Sequence, residues 1–324
     1  MKNRNSIGAL ILSKNNNSTI TATINSVINI CSQVVVLDTG STDETPSTAS
    51  KSGAEVYFYY WVDDFSKARN EALKYLQTDW ILMIDSDEIL NDFDKNKFDR
   101  IVSNSEIGGI NVIIDNAIKD ENNDTVTSHR YTRLFINNPN VRFSGRIHEQ
   151  IRESIINSGY EIVESDFKIL HLGYSKFSPN KYERNQTLIE KDIIDNPDDD
   201  WLKYHLAGTH FAAGNDEEAV NIFSQIINSP QLSTEQNEII RLRLAQLSLK
   251  CDNYDAVVKL TDFRSNYEQN EALRCYVLGT TQLLLNNVSA AYYNLKKCLE
   301  IDSPSLNQNE IERAFKIAEK MLYS

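Results

Sequence analysis

The chain has 324 residues, with 33 Lys+Arg against 46 Asp+Glu for a formal net charge of −13, and is 41% hydrophobic, 24% charged and 9% aromatic. This composition excludes a wholly disordered chain, and four cysteines, at 31, 251, 275 and 298, are too few and too scattered for a disulfide scaffold, a zinc site or a redox motif. The acidic balance speaks against nucleic-acid binding, which needs a basic face, and no run approaches the ~20 apolar residues of a membrane span.

Met1-Lys2-Asn3-Arg4-Asn5, the apolar run Ile7–Leu12 and then Ser13-Lys14-Asn15 read as a first strand rather than a signal peptide, which predicts a cytoplasmic protein. Thr19–Asn29 has helical spacing, with Ile20, Ile24, Val27 and Ile28 apolar, and Val34–Leu37 is the β-branched run of a strand buried on both faces. A turn over Asp38–Asp43 leads to a helix through about Ser52 and a strand over Glu55–Trp61, whose aromatic run Tyr57–Trp61 is expected mainly in the core. A helix over Ser66–Leu76 and a strand over Trp80–Ile84 follow. This βαβαβαβ order predicts an α/β domain built on a mostly parallel, Rossmann-like sheet, with ligands bound beyond the carboxyl ends of the strands.

From about Pro197 the pattern is helix, turn, helix. Ala219, Ala256 and Ala291 recur at intervals of 37 and 35 residues, near the ~34-residue tetratricopeptide period, with small residues where two helices would cross. The predicted division is therefore a catalytic domain over 1–196 and an all-α helical-repeat domain over 197–324, joined by the polar stretch Asp195–Asp200. Asp198-Asp199-Asp200 reads as a solvated helix cap, and His205 and His210 as helix-packing residues. The first 200 residues carry 21 basic and 31 acidic residues, against 12 and 15 from Trp201 onward. Acidity concentrated in the first part suits a region that handles a divalent cation.

The strongest chemical signal is Trp80–Ile84 running into Asp85-Ser86-Asp87-Glu88. In an extended chain residues i and i+2 share a side, so Asp85 and Asp87 would present two carboxylates together, a pair that calls for a hard cation such as Mg²⁺ or Mn²⁺. Asp38 ends an inner strand and could accept a ring N–H or a ribose hydroxyl, with Gly40 allowing close approach, while Asp43 with Ser41 or Thr42 reads as a cap for the next helix.

Together with Asp64-Phe65-Ser66-Lys67-Ala68-Arg69-Asn70, these segments resemble the family 2 glycosyltransferases of the GT-A fold over roughly residues 5–175. The later Arg133-Leu134-Phe135, Gly145-Arg146-Ile147-His148-Glu149 and His171-Leu172-Gly173-Tyr174, with the helical tail, most resemble the sublancin-type peptide S-glycosyltransferases of glycocin (bacteriocin) biosynthesis. The resemblance implies a UDP-sugar donor (UDP-glucose or UDP-N-acetylglucosamine), a divalent metal, inversion at the anomeric carbon, a precursor-peptide acceptor and a homodimer formed through the helical domain. It also implies that Ser13, Asn15, Asp38, Arg69, Asn70, Asp85 and Arg133 face nucleotide and sugar, although Lys14-Asn15-Asn16 stands where relatives often carry Asn-Glu. Asp87, with Asp85 adjacent and His171 as a third ligand, is expected to hold the metal. An inverting displacement needs a base that deprotonates the acceptor, and Glu149 is the expected base, with His148 as the alternative or as an acceptor contact. A helix cap starting near Gln150 is the structural alternative for these two residues, and a partly buried core histidine packed by Leu170 and Leu172 is that for His171; Arg130 and Arg133 are candidates for diphosphate or acceptor contacts, with a surface ion pair as the alternative. Two other functions stay open: transfer to a cell-envelope saccharide or lipid-linked acceptor, and an interaction scaffold with an inactive nucleotide-binding domain.

Overall fold

The structure is a computed structural model that describes residues 5–120, 123–171, 179–301, 303 and 306–323. It divides into two compact units, Met1–Lys176 and Phe177–Ser324.

The first unit opens with β1 (Ile7–Ser13), α1 (Ile20–Val27), β2 (Gln33–Asp38), α2 (Thr45–Lys51), β3 (Glu55–Phe58), α3 (Phe65–Ala72) and β4 (Trp80–Met83). It continues through β5 (Glu88–Asp92), α4 (Lys95–Ile101), β6 (Ile107–Asp120), β7 (Asn123–Ile136), α5 (Arg152–Asn157) and β8 (Glu161–His171). One mixed sheet runs β3-β2-β1-β4-β7-β6-β8-β5. Its first four strands are parallel, as the βα alternation predicts, and β7 then pairs antiparallel with both β4 and β6. Alternation along β1 and β2 sends Ile7, Ala9, Ile11, Val34 and Val36 to one face, under α1. Leu10, Leu12, Val35 and Leu37 go to the other, where Ala68 and Ala72 of α3 pack. The two apolar layers leave the polar residues Ser13 and Asp38 side by side in register where β1 and β2 end.

Two expectations need correction here. The run Tyr57–Trp61 is core on one side only: Tyr57, Tyr59 and Trp61 pack half-buried against the core, but β3 stops at Phe58 on the sheet's edge, and Phe58 and Tyr60 are 70% and 88% exposed. The domain break expected after residue 196 falls earlier, because α6 (Pro179–Asp195) belongs to the helical unit. Buried Leu188 and Ile189 lie on this helix, and its Tyr182 accepts a hydrogen bond at 2.6 Å from Asn215, which opens the helix at Asp216–Ile226.

After α6, three helix pairs follow: α7 (Asp200–Ala213) with α8 (Asp216–Ile226), α9 (Thr234–Lys250) with α10 (Tyr254–Leu260), and α11 (Glu268–Leu284) with α12 (Val288–Ile301). The helix α13 (Gln308–Leu322) follows them. Helices α7, α9 and α11 begin 34 residues apart, the tetratricopeptide period. Asp199 caps α7 by accepting the N–H groups of Trp201 and Leu202, Gly214 closes the helix in the left-handed region at φ 78°, and Ser233 and Gln236 form a capping box on α9. Ala219 and Ala291 are fully buried at their crossings, whereas in α10 it is Val257, beside the half-buried Ala256, that fills the core. His205 packs edge-on to Trp201 and His210 is buried, so both serve helix packing. Among the described residues no helix is long and apolar enough to cross a membrane. Cys31, Cys275 and Cys298 are buried free thiols that burial pushes up to about 12, 11 and 12, so they stay protonated and inert.

Candidate active site

The site forms at the carboxyl ends of β1, β2 and β4. Asp38 is buried where β2 ends; its Oδ1 accepts the N–H groups of Gly40 and Ser41 at 3.0 and 2.8 Å, and its Oδ2 accepts the Ser41 hydroxyl. Asn15, in the left-handed region at φ 56°, knits the first loop to the second by donating its N–H to Ser41 Oγ and accepting the N–H of Thr42, each at 2.8 Å. Beside them Ser13 Oγ is buried without a hydrogen-bond partner, an orphaned polar atom at the mouth of the parallel strands. Asp43 accepts from Thr45 at the start of α2, the local role expected for it.

Past β4 the chain does not stay extended. Glu88 donates its N–H to the Asp85 carbonyl at 3.0 Å, and Asp85 donates its N–H to Glu88 Oε2 at 2.8 Å, so Asp85–Glu88 is a tight turn. Asp85 and Asp87 therefore part company, contrary to the parallel presentation expected from i, i+2 spacing. Asp85 turns to two guanidiniums, Arg69 Nη2 at 2.9 Å and Arg133 Nη2 at 3.3 Å, while Asp87 Oδ2 faces His171 Nε2 at 3.3 Å. Among the described residues no three His, Cys, Asp or Glu side chains converge on one point, so the expected metal trio reduces to the pair Asp87 and His171.

Arg69 projects from α3. Its Nε donates to Glu149 Oε1, and Arg133 donates onward to Glu88 Oε1 at 2.8 Å. The result is an alternating row, Glu149–Arg69–Asp85–Arg133–Glu88, in which both arginines and Glu88 are buried. Burial opposes ionisation of Asp85, but Arg133 and then Arg69 outweigh it and hold the carboxyl well below its ordinary range. Burial pushes Glu88 up, Arg133 pulls it back, and the neighbouring Asp85 charge leaves it raised. Nη1 of Arg69 and Nε of Arg133 are buried donors with no partner, so the row retains hydrogen-bonding capacity for an anion.

The sequence Asp64–Asn70 positions this row. Asp64 caps α3 by accepting the Lys67 N–H. Phe65 N–H and Ser66 Oγ donate to the carbonyls of Arg146 and Gly145, at 2.8 and 2.6 Å. Asn70 uses both ends of its amide on the backbone of Phe143, at 2.9 Å each. Asn70, expected to face the ligand, thus fastens the 143–150 loop to α3. That loop is pinched by Ser144 and Gln150, which exchange backbone hydrogen bonds, and it turns through Gly145 at φ 91° and His148 at φ 53°. A positive φ is uncommon for a residue with a Cβ, and such backbone clusters at functional sites. Burial holds the His148 imidazole below the ordinary histidine range, so it is neutral at physiological pH. Neither His148 nor Glu149 caps a helix, since α5 begins at Arg152 after Ile151. Arg130 pairs with Glu164 on the surface and reaches the Ser165 carbonyl.

Sequence reasoning missed Glu88 and the support behind His171. Asn116 accepts from His171 Nδ1 at 3.0 Å and donates to His129 Nδ1 at 3.2 Å. This polarity directs His171 Nε2 toward Asp87, and the Asp87 hydrogen bond raises the imidazole above its usual range. Glu88 was legible as the acid next to Asp87. Asn116 and His129 were not, because they meet through strands β6, β7 and β8, whose pairing leaves no local pattern. Leu172, Gly173 and Tyr174 of the motif after His171 lie outside the described residues.

Comparison with known proteins adds four findings. Residues 9–162 match the model for glycosyl transferase family 2. The chain is 28% identical over 255 residues to the SPbeta prophage-derived glycosyltransferase SunS of Bacillus subtilis, covering 75% of this chain and 59% of that protein. It is also 28% identical over 240 residues to a TPR repeat-containing protein of Synechococcus elongatus, covering 70% of this chain and 57% of that one. The chain thus spans less than two thirds of the length of these curated relatives. Among solved structures, S. aureus TarS superposes with a TM-score of 0.44 at 14% identity, covering 81% of this chain and 56% of TarS.

Proposed function

We propose that this chain, whose residues 9–162 match the model for glycosyl transferase family 2, moves a hexose from a UDP-sugar to Cys or Ser of a bacteriocin precursor peptide, inverting the anomeric carbon. The observation that carries the reading is the row Glu149–Arg69–Asp85–Arg133–Glu88 beyond the strand ends. In that reaction the acceptor sulfur or oxygen bonds to the anomeric carbon as the bond from that carbon to the diphosphate oxygen breaks. Glu149, held at one oxygen by Arg69, takes the acceptor proton on the other. Arg69 and Arg133 offer their unpartnered buried N–H groups to the charge that develops on the diphosphate. Ser13 and Asp38 line the floor where the nucleoside is placed.

Asp87 and His171 fit a divalent cation: an oxygen and a nitrogen donor face each other, about one quarter exposed, and Asn116 sets the imidazole's orientation. Such an ion, Mg²⁺ or Mn²⁺, supplies Lewis-acid neutralisation of the leaving diphosphate when bound. The peptide acceptor is supported by the motif resemblance to peptide S-glycosyltransferases, by the likeness to SunS over most of the chain, and by a helical array with a 34-residue period, an architecture that offers extended binding surfaces. The reading is tested by titrating the protein with UDP-glucose and UDP-N-acetylglucosamine, with and without Mn²⁺, and following UDP release and peptide mass. Metal-dependent UDP release and a hexose mass added to Cys- or Ser-containing peptides are expected. A chain that neither binds nor consumes either donor at any metal concentration defeats the reading and leaves the helical array as a scaffold.

A further inference from the structure

The helical unit holds a cleft of about 510 Å³ between α10, α11 and α12, within the size range of built ligand pockets. Its charge runs opposite to that of the molecule. In a chain of net charge −13, Lys259, Arg264, Arg274 and Lys297 line it against one acid, Asp262. Beneath the floor lies Glu271, which is oversubscribed. Arg274 grips it bidentately, Nε to Oε2 at 2.7 Å and Nη2 to Oε1 at 2.8 Å; Lys297 also donates to Oε1, and the Ser265 N–H to Oε2 at 3.1 Å. One carboxylate cannot neutralise two cations, so positive charge is left at the cleft. Arg274 is fixed and buried, whereas the Lys297 side chain is 33% exposed.

One wall is braced in advance. Arg241 donates to the carbonyls of Leu260 at 3.0 Å and of Lys259 and Asp262 at 3.3 Å, and lies 4.6 Å from the Phe263 ring centroid. This fixes the last turn of α10, which carries Lys259, and the loop after it, which carries Arg264. Val258 and Tyr293, 42% and 64% exposed, give the cleft an apolar lip beside its cations. We infer that this cleft is a docking site for an extended acidic peptide segment, in which a carboxylate side chain meets Lys297 and Lys259 while a neighbouring apolar side chain lies on Val258 and Tyr293. A simple anion would leave the apolar lip unused, and an apolar peptide would leave the cations unpaired. The site lies wholly within the helical unit and stands whether or not the chain transfers sugar.

The test is fluorescence anisotropy on the full chain with a labelled hexapeptide LEDLEA and its uncharged counterpart LQNLQA. The acidic peptide is expected to bind, the uncharged one at least about tenfold more weakly, and salt to weaken binding further. Lys297→Gln should lower affinity for LEDLEA about tenfold. Because Lys297 also contacts Glu271, the charge reversal Lys259→Glu, at an exposed position, serves as a second variant and should weaken binding by a similar factor with the circular-dichroism spectrum unchanged. No binding of LEDLEA, equal binding of the two peptides, or wild-type affinity in Lys259→Glu each overturns the proposal.

Discussion

At the residue level, the strongest lever on the proposed reaction is Glu149. Its carboxylate shares Arg69 with Asp85, and so it is oriented before any acceptor arrives. A thiol ionises near neutrality and leans little on a base, whereas a hydroxyl does not ionise there. Glu149→Gln is therefore expected to cut transfer to a Ser-containing peptide by roughly 10²–10⁴ and transfer to its Cys counterpart far less. Initial rates measured by mass spectrometry on the paired peptides check this, and equal losses would reject Glu149 as the base. The sequence placed Asp85, Asp87, Arg69, Arg133 and Glu149 as site residues, and the fold brings four of them into one row. It misjudged how the two aspartates sit, because spacing in an extended chain says nothing about a turn that begins two residues past the strand. It also assigned Asn70 to the ligand, since an amide bound to a distant backbone looks the same in sequence as one facing a sugar.

Elements were more legible than residues in the first four strands, where apolar runs and polar punctuation alternate cleanly. The strands β5 to β8 were not foreseen, because β6 and β7 are long antiparallel partners with charged and polar residues along them. In the helical unit the small residues carried a real signal. A Cβ on Gly279 would lie 2.8 Å from Leu295 Cγ and 3.3 Å from the Leu295 backbone nitrogen, so α11 and α12 approach there only because the side chain is absent. Gly279→Val is expected to destabilise the chain by about 1–3 kcal/mol through overpacking. Gly208, also in a helix, has nothing within 4 Å of the same position, and Gly208→Ala should stabilise by about 0.5–1 kcal/mol. Thermal melts of the two variants should move in opposite directions; a shared direction would show that the crossing does not depend on the missing side chain.

Across the whole molecule the net negative charge is shared almost evenly, −6 over residues 1–176 and −7 over 177–324, and the helical unit hides a strongly perturbed acid. Burial alone would push Glu271 up, but Arg274 and Lys297 bring it down to about 2 from an ordinary 4.5. A carboxyl whose folded value is depressed adds stability that is complete above its unfolded value and disappears as pH falls through the folded one. The helical signal is therefore expected to lose resistance to urea between about pH 4.5 and 2, and Glu271→Gln to flatten that dependence; an unchanged slope in the variant would contradict the assignment. The array containing this residue has one more consequence. Helices α7, α9 and α11 recur every 34 residues, and in such arrays each unit touches only its neighbours. A recombination event that gains or drops 34 codons there would reproduce the same kind of junction on either side, so the array can change length over generations while the sheet-containing unit keeps its own course.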